Sequence, residues 1–214
     1  MKDVIERIIQ KEFVMLRKVN RRGGRRVSQD HFARFRDMRS GQLLVWPDRI
    51  LNSYLSDLKQ AEAMDRNLMF EKYAWMMKYA MPEEFKKVRH LLPEFGVERM
   101  LRMEETVGIQ VVWAEEFAQM YPGIGTRGRL LHSAEDTPTQ TSVESYVRSE
   151  LATYSDRTEK LYHDFVVACR RGGRNLTTEV RANQAHFLGW NSLEEVEQRY
   201  QQGEKPKKFL EVLK

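Results

Sequence analysis

Ile5, Ile8, Ile9, Phe13, Leu16 and Val19 recur at three- and four-residue intervals with charged residues between them. That spacing predicts an amphipathic helix over residues 2–20, closed by Gly23 and Gly24. Phe32, Phe35 and Met38 predict a shorter helix from Asp30 to Ser40, and Pro47 suits the first turn of one running to Ala63. Leu68, Tyr73, Trp75, Met76 and Tyr79 belong to another that ends before Pro82. Residues 82–92 read as a short connecting helix, and Pro93 with Gly96 marks the midpoint. A long helix then covers Val97 to Tyr121 and stops at Pro122-Gly123. Four more follow, over residues 142–153, 155–170, 176–188 and 192–201, the last opened by the capping-box pair Ser192 and Glu195. Residues 123–141 are rich in Gly, Pro, Ser and Thr and form a long loop, a length that inside a packed chain is often functional. No segment alternates in steps of two between hairpin turns, so the expected fold is all-α.

The pattern repeats. Shifted by 108 positions, Leu43, Asp48, Arg49, Tyr54, Arg66, Asn67, Leu68, Glu71 and Ala74 meet Leu151, Asp156, Arg157, Tyr162, Arg174, Asn175, Leu176, Glu179 and Ala182, and Trp46 meets Tyr154. Upstream, at a slightly different offset, Glu12-Phe13 meets Glu116-Phe117. The expectation is two diverged tandem copies of a four- to five-helix unit, residues 1–92 and 93–214, packed with pseudo-two-fold symmetry into one domain. The copies differ in the loop between their first two helices, which is longer and more acidic in the second. That asymmetry is where a site is expected.

Composition narrows the partners. Hydrophobic residues make up 41% of the 214, enough for a packed core, and the net charge of +5 is a mild basic excess. Arg21-Arg22-Gly23-Gly24-Arg25-Arg26 and Arg170-Arg171-Gly172-Gly173-Arg174 can reach phosphates, but such runs are more often solvated loops. Cys169 is the only cysteine, so no intramolecular disulfide forms; it reads as a small core residue. The acidic, periodic start is unlike a signal peptide, and no apolar run is long enough to span a membrane. A cytoplasmic protein is expected.

Three stretches, Asp30 to Trp46, Tyr121 to Asp136 (YPGIGTRGRLLHSAED) and Arg148 to Ser155 (RSELATYS), carry a resemblance to the bacterial family known as domain of unknown function 4125. The likeness runs over nearly the whole chain and is most specific in the third stretch. It implies a self-standing helical bacterial protein and brings no activity with it.

The candidate chemistry lies in charges at positions that packing alone would not choose. Glu12 and Glu116 fall on the apolar stripes of their helices, where a carboxylate is costly unless paired and its pKa moves with its neighbours. They are the acid–base candidates, with Arg25, Arg26 and Arg39 in reach of one and Arg127, Arg129 and Arg148 of the other; the competing reading is a structural Glu–Arg pair in each half. Arg127 and Arg129, flanking a glycine, would fork onto an anion and be held by Glu135 and Asp136. Glu150, matched by Gln42, ends a helix where it can face the interior. Substrate-binding candidates are therefore Arg39, Arg127, Arg129, Glu135, Asp136, Arg148 and Glu150. Glu159 and His163 stand four apart on one face, but the partnered Glu-x-x-His set of a di-metal bundle is missing, so no metal and no cofactor is expected. Phosphate-loop, dinucleotide and nucleophile-elbow motifs are also lacking.

These features lead to a small cofactor-independent enzyme acting by acid–base chemistry on a polar, anionic small molecule. A regulatory, nucleic-acid-associated or small-molecule-sensing module, and a structural interaction protein, are the competing readings. Reaction, substrate and oligomeric state are not readable from the chain.

Overall fold

The isoleucine stripe at the N-terminus builds helix α1 (Lys2–Arg17), whose Ile5, Ile8, Ile9, Met15 and Leu16 are buried. The computed structural model describes residues 1–19 and 32–204. Arg21 to Arg26, Asp30 and His31 lie outside the described residues, so the expectations placed on them stand as they were. Ten further helices follow among the described residues: α2 (Phe32–Leu43), α3 (Asp48–Ala63), α4 (Leu68–Ala80), α5 (Pro82–Val88), α6 (Val97–Met120), α7 (Pro122–Gly125), α8 (Val143–Leu151), α9 (Asp156–Arg171), α10 (Leu176–Phe187) and α11 (Leu193–Gln201). No strand occurs among them, in agreement with the all-α reading.

Local chemistry sets most boundaries. Asn67 and Asn175 cap α4 and α10 by accepting the Phe70 and Thr178 N–H groups, and Ser142 and Ser155 do the same for α8 and α9. Pro47 stands just outside α3 as its N-cap rather than in its first turn. Ser192 caps α11 through the Glu195 N–H, while the Glu195 carboxylate reaches back to Asn191 rather than to Ser192. At the end of α9, Gly173 takes a left-handed φ of 71°, which a side chain would resist.

Helix α1 packs on α2, α3 and α4, and the longer α6 packs on α8, α9 and α10. The two groups join through α3 against α9, α2 against α10 and α4 against α8. Gly41 permits the α2–α10 crossing, because a Cβ there would lie 2.6 Å from Gln184 Cγ. Asn183 and Gln184 then donate their side-chain amides to the Gly41 and Met38 carbonyls of α2.

The centre is aromatic. Trp46 and Tyr54 meet Tyr154 and Tyr162, with Trp46–Tyr54, Trp46–Tyr154 and Tyr54–Tyr154 edge to face at 5.8, 6.0 and 5.2 Å between ring centres. Each such pair contributes about 0.5–1.5 kcal/mol beyond the area it buries. Trp46 and Tyr154 are thus packing residues at the corner where the helices meet. Cys169 is buried in the same core, which pushes its thiol above the ordinary range. A second, smaller cluster gathers Phe117, Tyr121, Ile124, Val196 and Tyr200 where α11 closes over α7. No helix among the described residues is long and apolar enough to cross a membrane.

Candidate functional site

The helical stripe that buries α1 carries Glu12 inward with it, fully shielded from solvent. A lone carboxylate there would be costly, and three donors offset that cost. Arg39 of α2 forks onto it, Nε to Oε2 and Nη2 to Oε1, both at 2.7 Å, and the Tyr54 hydroxyl donates to Oε1 at 2.7 Å. The remaining Arg39 nitrogen, Nη1, lies 2.8 Å from Glu150 Oε1 of α8 and also donates to Gln42. Lys72 of α4 closes the chain at 3.1 Å from Glu150 Oε2. Two carboxylates and two cations thus form a buried, charge-balanced line through α1, α2, α8 and α4.

Its electrostatics follow from burial set against pairing. Burial alone would lower Arg39, yet Glu12 and then Glu150 hold it well above its ordinary value. Burial alone would raise Glu150, but Arg39 and Lys72 bring it down to about 2. Tyr54 and Tyr154 are raised first by burial and then by the nearest carboxylate, Glu12 for one and Glu150 for the other. Each group is held in one protonation state across the neutral range.

This line forms one wall of a cavity of about 560 Å³, open on one side and lined by α1, α2, α4, α6, α8 and α10, a size within the ligand-binding range. Another wall carries a cation with no ion-pair partner among the described residues. Arg181 of α10 has one hydrogen-bond partner among the described residues, the neutral Gln184 side chain at 2.9 Å, and no carboxylate within ion-pair distance. Burial, then the neighbouring charge of Arg129, pushes Arg181 down to about 10. Arg181 is partly exposed, and it lines this cavity. Arg129 donates to the Thr141 carbonyl and lies 4.6 Å from the centre of the Tyr146 ring, and Lys72 lies 3.9 Å from the same ring centre. Tyr146 therefore links the balanced line to the arginine pair. Gly125, the last residue of α7, and Gly128 of the loop that follows complete this side. Gly125 has no room for a side chain, as a Cβ would stand 2.7 Å from Ala118 Cα.

A family model described as protein of unknown function (DUF4125) matches residues 2–198. The chain belongs to the DUF4125 family. No curated protein and no solved structure matches it.

Within this DUF4125 chain, the cavity brings together four of the residues singled out from sequence: Glu12, Arg39, Arg129 and Glu150. The others are engaged elsewhere. Glu116 is half exposed, bonded to Arg170 at 2.7 Å and to Asn175 at 3.0 Å. The buried stripe of α6 runs through Met103, Val107, Trp113, Ala114 and Phe117 and leaves Glu116 at its edge, so the core-facing position expected for it is corrected. Arg127 lies over the Tyr200 ring and donates to the Gly123 carbonyl, outside the cavity. Arg148 forks onto Glu104 at 2.7 and 2.8 Å and pairs with Glu144, an ion cluster on the flank of α8. Glu135 and Asp136 do not hold the loop arginines as expected. Glu135 accepts the His132 N–H and Asp136 the Ser142 N–H, both fixing loop backbone. Glu159 is buried against Arg102 while His163 faces Glu105, and no cluster of metal-ligating side chains occurs among the described residues.

Sequence reasoning missed Lys72, Tyr146 and Arg181 in this DUF4125 protein. Helix α4 is apolar almost all round, so no stripe singled out the buried Lys72. Arg181 lies in a helix with little amphipathic contrast. The one available signal was its spacing, four residues after Thr177, which places it on the same helix face as that cavity-lining residue.

Proposed function

We propose that this protein binds an anionic small molecule in the cavity between its helices, with Arg181 and Arg129 receiving the negative charge. One observation carries the reading: a partly buried guanidinium with no carboxylate partner among the described residues, beside a second guanidinium, on the wall of a ligand-sized cavity. A buried cation without a counter-ion is costly, and a bound anion removes that cost. Acid–base catalysis by Glu12 and Glu116 fits the geometry less well, because Glu12 is saturated by three donors and Glu116 is outside the cavity. A nucleic-acid role for the second basic run also fits less well, since Arg170 and Arg174 are paired with Glu116 and Glu179.

Thermal-shift and calorimetric titrations with phosphate, sulfate, acetate and citrate, against chloride at constant ionic strength, test the proposal. The expected result is saturable stabilisation by at least one of these anions that is lost in Arg181→Met. Equal shifts in both proteins, or none in either, refute it.

We infer further that residues 1–92 and 93–214 are diverged copies of one unit, related by a pseudo-two-fold axis near the Trp46–Tyr154 contact. For the four matched helices of each half, exchanging the halves leaves the helix contacts unchanged: α1 and α6 swap, α3 meets α9, and α2–α10 becomes α8–α4. Asn67 donates to the Met15 carbonyl and Asn175 to that of Trp113, and Arg66–Glu71 and Arg174–Glu179 make the same fork. The asparagine contacts set the register between α1 and α6. In that register the counterpart of Glu12 is Gln110, which lies beside Tyr162 as Glu12 lies beside Tyr54. One copy holds a carboxylate where the other holds an amide, so the site belongs to the pair rather than to each unit.

A further inference from the structure

Resting on that anion-binding reading, we propose that the ligand is an anionic amphiphile. Its oxyanion head, a carboxylate or a phosphate, sits on the Arg129–Arg181 side, and a compact apolar tail lies against Phe35, Met38, Val143, Val147 and Val180. Three observations lead there. First, the cavity is much larger than a bare anion: 560 Å³ is roughly nineteen times the liquid-volume share of a water molecule, about 30 Å³. Second, one place on the wall calls for charge. The Glu12–Arg39–Glu150–Lys72 line is neutral within itself, whereas Arg181 has no carboxylate partner among the described residues.

Third, the helices that present Arg181 and the aromatic ring also present aliphatic side chains to the same space. On α8, Val143, Tyr146, Val147 and Glu150 follow one another at helical spacing along the cavity, and on α10 Val180 precedes Arg181. On α2, Phe35 and Met38 supply the facing apolar side. A bare oxyanion would leave these aliphatic groups against water. A tail covers them, and the hydrophobic gain then scales with chain length. The oxyanion is the shared chemistry, and the Arg181 guanidinium, with the Arg129 charge nearby, suits either form, a carboxylate or a phosphoryl group.

The test is calorimetric titration of the full chain with ethyl, butyl and hexyl phosphate, with propanoate, pentanoate and heptanoate, and with inorganic phosphate and acetate as bare heads. Ethanol, butanol and hexanol serve as neutral counterparts. Each methylene that enters the apolar wall should tighten binding about fourfold, so hexyl phosphate or heptanoate should exceed its bare head at least tenfold. Whichever series rises identifies the head. Arg181→Met should weaken the acids at least tenfold and leave the alkanols unchanged, while Val180→Thr, of nearly the same volume, should flatten the rise without removing bare-head binding. A flat series in which the bare head binds as well as the longest chain overturns the amphiphile and leaves the anion site standing. Alkanols that bind as tightly as the acids, with no response to Arg181→Met, overturn both.

Discussion

Arg181 is charged in the unfolded chain and fully solvated there. In the folded protein it keeps its charge with Gln184 as its described hydrogen-bond partner and Arg129 nearby. Its folded pKa, at about 10, lies below its unfolded value. For a base this sign means that the folded state binds the proton less tightly. The penalty is therefore complete at every pH below about 10 and fades as pH rises towards the ordinary arginine range. A depression of that size corresponds to about 3 kcal/mol at neutral pH, an upper figure because water in the cavity solvates part of the guanidinium. Arg181→Met keeps most of the aliphatic stem and removes the charge. It should stabilise the unliganded protein by roughly 1–3 kcal/mol, raising Tm by about 3–10 °C for a chain of this length. Urea and thermal denaturation in chloride buffer would measure the gain. Adding a binding anion at a hundred times its Kd should stabilise the wild-type protein by about 2.7 kcal/mol and the variant hardly at all, so the order of stability narrows or reverses. An unchanged or lower Tm for Arg181→Met in chloride would refute the reasoning, since it would mean that the guanidinium is already compensated.

Glu12→Gln and Arg39→Met should each cost about 3–5 kcal/mol by leaving a buried charge without its main partner, whereas Glu12→Gln/Arg39→Met should cost clearly less than the sum; urea denaturation of the four proteins reads this, and additive losses would contradict it. The folded pKa of Glu150 lies below its unfolded value, so the stabilisation it provides is complete above about pH 4.5 and is lost as pH falls towards about 2. Glu150→Gln should thus be markedly less stable at pH 7, by up to about 3 kcal/mol, with the gap to wild type closing across that acid window; a gap constant with pH would refute the assignment. Gly41→Ala should lose about 1–3 kcal/mol through the clash with Gln184 at the α2–α10 crossing, visible as a lower urea midpoint with an unchanged helical circular dichroism spectrum.

The helices were legible because each is written locally. The Ile5–Leu16 stripe, the asparagine and serine caps and the break at Pro122-Gly123 act within a few residues of themselves. Glu12 was legible for the same reason: the stripe on either side of it is unambiguous, so its inward direction follows from the period. Glu116 was misplaced because α6 is longer and apolar over a wider arc, which lets several registers fit. The short α7 escaped notice because its first N–H groups are satisfied from far along the chain. Glu197 of α11 accepts from Gly123 at 2.7 Å and from Ile124 at 2.9 Å.

The sequence by itself determined an all-helical chain, its breaks, its central aromatic corner and the presence of charges on buried faces. A helical period of 3.6 encodes which way a residue points, and that information is carried by its immediate neighbours. Only the tertiary structure decided which charges meet. Arg39 reaches Glu12 across 27 residues, Lys72 reaches Glu150 across 78, and Arg181 reaches no carboxylate among the described residues. Pairing depends on how separate helices cross, and a small change in crossing moves a guanidinium from one partner to another. The balance of the buried line and the imbalance at Arg181 are therefore properties of the packing, and the candidate site rests on that imbalance.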